Sequence, residues 1–327
     1  MADLSSKTVF LAGSTGLVGS SIMQYMLNNY PETRIRAASY KHTEPFFCDR
    51  RIEYVSGDLR SAEDCRRMVR GCDCALMAAA NTGGSYQLAT EPWKQVNDNA
   101  IMNSQMLEAF HFENVKRVVY IGSATLYQES PTPVKEERLN LSRDPPPAYL
   151  GIGWVVRYIE KLCSFWRNQS NMEILMARAA NVFGPYAKFN PLTSNFIPAL
   201  IRKAVDKMDP FEVWGSPDVT RDVVYSEDFA RAVVMMLDRN DIEFDTFNVG
   251  SGQRTTVGEV VKWILEAAGH KPSEIRYCPD KPTTIQSRAL DCSKIRKTLG
   301  WEPEYTIEAG ISKTTEWWIQ NKGWWKR

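Results

Sequence analysis

Short apolar runs alternate with longer amphipathic stretches through the first half of the chain. The runs are of strand length and predict buried parallel strands at 9–12, 34–39, 52–55, 75–80, 118–121 and 173–177. The stretches with helical spacing of apolar positions predict helices at 20–27, 93–112 and 153–169. This alternation predicts an α/β fold, a doubly wound parallel Rossmann sheet.

The alternation becomes irregular beyond residue 185. Helices are predicted at 195–207, 227–237 and 257–268, and strands at 211–215 and 221–225. We therefore divide the chain into a sheet domain, 1–185, with a returning segment near 222–250, and a smaller C-terminal α/β domain, 186–327. Many of the ten tryptophans fall in the last third of the chain, and we expect them to fill the core of the second domain.

The segment between the first strand and the first helix, AGSTGLVGS, spaces Gly13, Gly16 and Gly19 three residues apart. A strand, a glycine turn and a helix in that order are typical of a dinucleotide-binding turn. There the glycines allow a tight turn, close approach of the backbone to a pyrophosphate, and close helix packing. We assign the turn to a cofactor: Gly13, Ser14, Thr15, Gly16, Leu17, Val18 and Gly19.

The end of the second strand bears on which dinucleotide is bound. An acidic residue there selects NAD, but Ser39 and Lys41 stand in this region instead. A hydroxyl and a cation suit a 2′-phosphate, so the sequence favours NADP over NAD. The alternative interpretation is a solvated loop with no role in binding.

Polar and small residues follow several of the other strands. Asp58 is placed to accept from the adenine amine, and the small residues after the fourth strand leave room for the nicotinamide end. Asn99, in the helix 93–112, is a candidate for an inward-facing polar group. Ser123 places a hydroxyl at the carboxyl end of the fifth strand, where such sheets bind ligands.

Composition narrows the class of partner. The 40 basic and 39 acidic residues give a net charge of +1, which indicates neither nucleic acid nor a membrane surface. No apolar run is long enough to span a bilayer, and no signal-peptide core is apparent. The seven cysteines include no C-x-x-C pair. We therefore expect idle thiols, no metal site and a cytoplasmic location.

These motifs resemble the extended short-chain dehydrogenase/reductase superfamily. Within it they most resemble the nucleotide-sugar epimerases and reductases, in particular those that act on GDP-linked keto-sugars. The likeness covers nearly the whole chain, in the stretches LAGSTGLVGS, GDL, AAANTGG, GSATLY, KLC, NVFGP, SNFIPALIRK, VWGSPDVTRD, NVGSG and LGW.

The resemblance implies roles for individual residues. It assigns adenine to Asp58 and Leu59, and catalysis to Ser123. It assigns the following further residues to the cofactor: Ala78, Ala79, Ala80, Asn99, Ala180, Asn181 and Val182. It assigns the following residues to the sugar nucleotide: Asn181, Asn195, Lys203, Trp214, Arg221 and Arg288.

The chain departs from the family at the catalytic helix. The family carries Tyr-x-x-x-Lys there, but one alignment of this chain gives Ile152 and Val156, and the other gives Tyr149 and Gly153. Tyr149 is the only tyrosine close enough to act as the acid, with Arg157 as a possible substitute cation. The alternative interpretation is that Tyr149 packs on the adjacent prolines and has no chemical role.

Two further family positions differ. The family's Cys and His, which move protons beside the ketone, correspond to Thr125 and Asn195. Neither residue titrates near neutral pH. Two hypotheses follow. The first is an NADP-linked reductase or epimerase of a GDP-linked sugar, with Thr125 beside the catalytic hydroxyls and a homodimeric assembly. The second is a protein that binds the same ligands without efficient chemistry.

Overall fold

Strands and helices alternate through the first half of the chain, as the apolar pattern predicts. The computed structural model describes residues 4–40 and 46–323. The strands are β1 (Thr8–Ala12), β2 (Arg34–Ser39), β3 (Ile52–Ser56), β4 (Cys74–Met77), β5 (Arg117–Ser123), β6 (Glu173–Ala179), β7 (Asn181–Phe183), β8 (Phe211–Trp214), β9 (Thr220–Arg221), β10 (Val223–Tyr225), β11 (Phe244–Val249), β12 (Thr255–Thr256) and β13 (Ile275–Cys278).

The helices cover both faces of the main sheet and form the second part of the molecule. They are α1 (Leu17–Asn29), α2 (Ala62–Val69), α3 (Ser85–Thr90), α4 (Trp93–Phe112), α5 (Leu150–Gln169), α6 (Phe196–Val205), α7 (Ser226–Leu237), α8 (Val257–Ala267), α9 (Ser293–Leu299) and α10 (Ile307–Gln320). Among the helices of the described ranges, none combines the length and apolar character that a membrane span requires.

Seven strands form one parallel sheet in the order β11-β6-β5-β4-β1-β2-β3. The chain winds outward from β1 in one direction and from β4 in the other, so the order reverses between these two strands. The predicted fold class, a doubly wound Rossmann sheet, is confirmed. Ligands of such sheets bind at this reversal, at the carboxyl ends of the strands.

Two layers of helix bury the two faces of the sheet. Successive residues of a strand point to opposite faces, so Phe10 and Leu11 enter different cores. Phe10 packs in the core beneath α4 and α5 with Phe110, and Leu11 packs in the core beneath α1 and α7 with Val233. The segment 226–249 returns to the sheet, because α7 packs on α1 and β11 pairs with β6.

The remaining helices and short strands form a third core around Phe189. Its ring stacks on that of Trp318, with centroids 4.0 Å apart. The expectation that the tryptophans fill this core is only partly right. Trp301 lies beneath the main sheet, where its indole N–H donates to the Asp228 carbonyl at 3.0 Å, and Trp214 is 36% exposed. Residues 324–327 lie outside the described ranges.

Several element boundaries differ from the predicted ones. The fourth strand ends at Met77, not at residue 80, because the chain there passes directly over the first glycine turn. A Cβ on Gly13 would lie 2.7 Å from the Ala79 Cα. The catalytic helix begins at Leu150 rather than 153, which places Tyr149 at its N-cap. The elements α2, α3, β7, β11, β12, β13, α9 and α10 were not predicted. Most of them are short, but α10 spans 14 residues.

Candidate active site

The glycine turn between β1 and α1 is packed tightly against the segment that follows β4 and against the start of α1. Gly13 has φ +74°, in the region that favours glycine. A Cβ on Gly19 would lie 2.1 Å from the Gly13 carbonyl oxygen, whereas a Cβ on Gly16 would meet nothing closer than 3.5 Å. The first and third glycines therefore leave no room for a side chain, whereas a methyl group at Gly16 would make only ordinary van der Waals contact.

This turn fits a pyrophosphate. Gly16 is the N-cap of α1 and carries no side chain, so the cap supplies no acceptor for the first N–H groups of the helix. Ser14 is buried, and its Oγ donates to the Ala38 carbonyl at 3.0 Å, which holds the turn against β2. Thr15 is half-exposed, and Leu17 and Val18 pack sideways against the third and first cores.

A cation that the sequence predictions did not include, Arg60, lies beside the end of β2. The Arg60 guanidinium binds both Asp58 oxygens, with Nε 3.0 Å from Oδ1 and Nη2 2.8 Å from Oδ2, and it lowers the Asp58 pKa. Arg60 Nη1 also lies 3.1 Å from Asp98 Oδ1, and Nη2 lies 3.3 Å from the Tyr40 hydroxyl. Asp58 thus holds Arg60 beside the end of β2. Leu59, the other residue predicted to contact adenine, is buried.

Of the two predicted cofactor residues near the end of the second strand, the structure describes one. Ser39 ends β2 opposite Ser56 of β3. Lys41 lies outside the described residues.

The segment after β4 is fixed by Asn99 of α4. The Asn99 amide accepts from the Asn81 N–H at 2.8 Å and donates to the Asn81 carbonyl at 2.9 Å. Asn99 is buried, and its side chain is therefore committed to holding the backbone beyond Ala80. Ala78 and Ala79 lie between this point and the glycine turn, where small side chains keep the strand end open.

A small cavity brings together residues from five regions of the chain. Its volume is ≈ 30 Å³, and it is lined by Ser123, Ala124, Thr125, Tyr149, Ala179, Ala180, Asn181, Arg221, Asp222, Ile285, Arg288 and Leu290. Val182 does not line it and packs against the first core. The cavity lies at the carboxyl ends of β5 and β6, at the same end of the sheet as the glycine turn.

Two arginines enter this cavity from the C-terminal half of the chain. The Arg288 guanidinium carbon lies 5.0 Å from the centre of the Tyr149 ring, and Arg288 Nη2 is buried without a hydrogen-bond partner. Arg221 Nη2 donates to Thr284 Oγ1 at 3.1 Å. Within the described ranges neither arginine forms an ion pair with a carboxylate. Burial lowers both pKa values, that of Arg288 to about 10.

The hydroxyl groups of the cavity come from the end of β5 and the start of α5. Ser123 Oγ accepts from the Thr125 N–H at 3.2 Å, and Thr125 Oγ1 is buried without a partner. Tyr149 is half-exposed, and its backbone N–H donates to the Pro146 carbonyl at 2.8 Å. Unpartnered Thr125 and Arg288 atoms are the groups that a polar ligand would satisfy.

The register of α5 explains why no lysine stands beside Tyr149. A Cβ on Gly153 would lie 2.6 Å from Pro145 Cγ and 2.7 Å from the Thr125 carbonyl oxygen. Val156 is 4% exposed and packs in the first core. Arg157 is buried and donates to the Leu126 carbonyl at 2.8 Å and to the Arg143 carbonyl at 2.6 Å. These hydrogen bonds hold Arg157 against the backbone of Leu126 and Arg143, and its role as a substitute for the missing lysine stays a prediction.

A buried polar network positions α5 against the sheet. Arg178 of β6 binds Glu160 of α5 through two hydrogen bonds of 2.8 and 2.7 Å. Arg178 Nη1 also donates to the Tyr127 hydroxyl at 2.7 Å, which in turn donates to Asn248 Oδ1 at 2.7 Å. The network links α5 to the segment that follows Ser123.

Three predicted substrate residues do not line the cavity. Lys203 Nζ donates to the Glu212 carbonyl at 2.8 Å and lies 5.9 Å from the centre of the Trp214 ring, so these two side chains form a separate group. Burial lowers the Lys203 pKa. Asn195 is the exposed N-cap of α6, and no hydrogen bond from its side chain caps that helix.

Asp222, which the sequence analysis did not single out, fixes the wall of the cavity behind Arg221. Its Oδ1 accepts from the Ser251 N–H at 2.8 Å and the Ser251 hydroxyl at 2.9 Å. Its Oδ2 accepts from the N–H groups of Gly252 at 3.2 Å and Leu290 at 3.1 Å. Burial raises the Asp222 pKa to about 6, against the effect of these four donors.

The fold and the glycine turn define a dinucleotide-dependent enzyme class, and a family model agrees. Residues 9–250 match the NAD dependent epimerase/dehydratase family, and the chain belongs to that family. Its relatives are nucleotide-sugar epimerases and reductases. The predicted membership of this branch of the superfamily is confirmed.

Among curated relatives, the chain is similar to GDP-L-fucose synthases. The enzyme of Sinorhizobium fredii (strain NBRC 101917 / NGR234) is 28% identical over 326 residues, covering 97% of each chain. That of Escherichia coli K12 is 25% identical over 342 residues, covering 98% of each. Among solved structures, UDP-glucose 4-epimerase of Thermotoga maritima superposes with a TM-score of 0.83 at 20% identity. It covers 96% of this chain and 99% of its own.

Proposed function

We propose that the chain is an NADP-linked reductase that acts on the C4 ketone of a GDP-linked keto-sugar. The observation that carries this proposal is the cavity in which Arg221 and Arg288 lie with the hydroxyls of Ser123 and Tyr149. Cations without a carboxylate partner beside hydroxyl donors suit a ligand that has a diphosphate and a sugar carbonyl.

The arginines are suited to the diphosphate. A guanidinium donates parallel hydrogen bonds to phosphate oxygens and keeps its charge when buried. Arg288 Nη2 has no partner in the protein, so a phosphate oxygen would satisfy it. The GDP carrier is supported by the relatives, several of which are GDP-L-fucose synthases.

The hydroxyls are suited to the sugar oxygen. NADPH, when bound, supplies a hydride to the carbonyl carbon. Ser123 orients the carbonyl oxygen by a hydrogen bond, and Tyr149 gives that oxygen the proton that completes the alcohol. The Arg288 guanidinium on the Tyr149 ring holds the phenol at the cavity wall.

The sugar does not undergo epimerisation at C3 and C5 in this proposal. Thr125 and Asn195 stand where the family has its proton-moving Cys and His. A hydroxyl and an amide neither lose nor gain a proton near neutral pH. The chain therefore reduces the ketone without exchanging the neighbouring C–H protons.

NADP is preferred over NAD because β2 ends in Ser39 rather than in an acidic residue. Lys41 and Arg60 are the candidate partners of a 2′-phosphate, and Arg60 already lies 5.6 Å from the Tyr40 ring centre. Calorimetric titration at fixed salt compares the two cofactors. Tighter binding of NADP supports the assignment, and equal or tighter binding of NAD contradicts it.

We further propose a homodimer in the reducing cytoplasm. The outer surface of α4 and α5 exposes large apolar side chains, among them Ile101, Trp154, Tyr158 and Phe165. Several large apolar side chains exposed on two helices that pack together suit an interface. The location is supported by the seven cysteines, all within the described residues, which are free thiols.

The roles of the two hydroxyls are tested by substitution. Tyr149→Phe and Ser123→Ala are each expected to lower kcat for reduction of GDP-4-keto-6-deoxymannose by about 10²-fold or more. Tyr158→Phe is the matched control, because Tyr158 lies on the same helix and is 48% exposed. Unchanged kcat in Tyr149→Phe would mean that another group supplies the proton.

The alternative function is a protein that binds sugar nucleotide and cofactor without efficient chemistry. It is favoured by the crowding at Gly153, which leaves no room for a lysine four residues after Tyr149. Mass spectrometry of ligands that co-purify, together with the turnover of Ser123→Ala, separates the two. If NADP and a GDP-sugar co-purify and neither Ser123→Ala nor Tyr149→Phe changes the turnover, the binding protein would be favoured.

A further inference from the structure

Lys188 lies in the segment between β7 and α6 and reaches across to the loop that follows β4. Its Nζ donates to the Thr82 carbonyl at 2.8 Å and lies 3.4 Å from Thr82 Oγ1. No carboxylate within the described ranges forms an ion pair with it. The Lys188 ammonium is therefore a cation whose hydrogen bonds go to a neutral residue, Thr82.

The position of Lys188 is both deep and accessible. Its side chain has substantial exposed surface, yet protein atoms surround it densely enough that lost hydration lowers its pKa. These two properties together describe the wall of a cleft. An ammonium group has three N–H donors, of which Thr82 engages two at most, so at least one points elsewhere.

The order of the strands places this lysine near the reaction site. Thr82 follows β4, whose neighbours are β1, with the glycine turn, and β5, which ends at Ser123. Neighbouring strands lie about 4.8 Å apart. Thr82 lies five residues beyond the end of β4, so Lys188 is at the same end of the sheet as the glycine turn and Ser123. The helix that follows Thr82, α3, packs against the turn Pro147–Tyr149.

The contact between the two segments is close because Gly84 has no side chain. Gly84 N–H donates to the Thr193 carbonyl at 3.3 Å, and a Cβ on Gly84 would lie 2.3 Å from the Ser194 carbonyl oxygen. Ser194 Oγ is buried without a partner. Lys188 therefore belongs to a polar wall, separate from the residues that line the arginine cavity.

We propose that Lys188 binds the sugar moiety of the nucleotide sugar through hydrogen bonds from its ammonium group to hydroxyl or carbonyl oxygens. The inference rests on the proposed function and adds a specificity-determining residue to it. The arginines bind the diphosphate, and the Lys188 ammonium donates hydrogen bonds to oxygens of the hexose. A ligand that ends at the diphosphate does not reach it.

The experiment compares two ligands in three variants. GDP and GDP-4-keto-6-deoxymannose are titrated by calorimetry into protein loaded with NADP⁺, which cannot reduce the sugar. Lys188→Met is expected to weaken the sugar nucleotide about 10-fold, the value of one charged hydrogen bond, and to leave GDP unchanged. Lys188→Arg is expected to retain part of the affinity. Lys262→Met, at an exposed lysine of α8, is the control.

A second readout uses the parent protein and needs no substitution. The Lys188 amine is labelled with trinitrobenzenesulfonate and the site is mapped by mass spectrometry. GDP-4-keto-6-deoxymannose is expected to protect Lys188 from labelling. GDP is expected to leave the labelling of Lys188 unchanged.

The outcomes separate this inference from the proposed function. Equal losses of GDP and sugar-nucleotide affinity in Lys188→Met, with a lowered Tm, would show a structural latch and overturn the inference. Affinities that do not change would overturn it as well. If the parent protein binds neither GDP nor the sugar nucleotide, the proposed function itself fails.

Discussion

Gly19 is one of two positions in the glycine turn that leave no space for a side chain, and its φ is not positive. A methyl group there would overlap the Gly13 carbonyl oxygen, 2.1 Å away, whereas Gly16 has 3.5 Å to the same atom. We expect Gly19→Ala to lower the free energy of unfolding by about 1–3 kcal/mol or more and to abolish NADP binding. Gly16→Ala is expected to unfold near the parent Tm. Thermal unfolding with calorimetric titration measures both, and equal effects would contradict the assigned packing.

Asp222 shows how a single buried carboxylate can organise a cavity wall. Four donors converge on it, and in Asp222→Asn the amide NH₂ would face two of them. Each buried donor left unsatisfied costs about 1–3 kcal/mol, so we expect a loss of at least that size in the free energy of unfolding.

Denaturant unfolding at pH 7.5 measures this loss. Asp280→Asn, at an exposed residue, is the control. Equal stability of the two variants would mean that the four hydrogen bonds do not hold the wall.

At the level of residues, the sequence predictions included four residues that the structure brings together, but not the contacts that these residues make. Ser123, Tyr149, Arg221 and Arg288 line one cavity, although they are distant in the chain. Motif resemblance carries such information, because motifs mark positions in a fold. The pairing of Arg60 with Asp58 depends on side-chain conformations, which no spacing rule encodes.

The helix α5 is the element in which the family pattern and this chain diverge. Val156 is 4% exposed, so Val156→Lys would bury an ammonium group without a partner. We expect this variant to lower the free energy of unfolding by at least about 2 kcal/mol rather than to raise activity. Leu150→Lys, at a residue 46% exposed, is the control. A Val156→Lys protein that is as stable as the parent and more active would contradict this packing.

At the level of elements, the prediction succeeded where one apolar period runs over a whole segment. The helix 93–112 and the strand 34–39 agree with the structure at both ends. The fourth strand was extended too far, since its alanines are apolar but the glycine turn crosses them. The edge strand β11, FDTFNV, was missed because polar residues interrupt its pattern.

At the level of the whole molecule, the exposed face of α4 and α5 predicts the assembly. Tyr158 and Phe165 are 48% and 49% exposed on α5. A homodimer would bury these side chains and give twice the chain mass of 37.3 kDa in sedimentation. The double variant Tyr158→Glu with Phe165→Glu is expected to sediment as a monomer, because a charge at a buried interface is costly.

The control for the assembly is Leu192→Glu. Leu192 is 64% exposed and lies outside α4 and α5. A parent protein that sediments at the mass of one chain would contradict the proposed dimer.

The central claim is that the protein reduces the C4 ketone of a keto-sugar without exchanging the protons on C3 and C5. The most direct measurement incubates the protein with NADPH and GDP-4-keto-6-deoxymannose in deuterated water and analyses the sugar by NMR. The account predicts oxidation of NADPH, a C4 alcohol, and no deuterium at C3 or C5. Deuterium at either carbon, or a ketone that persists while NADPH is not consumed, would contradict it.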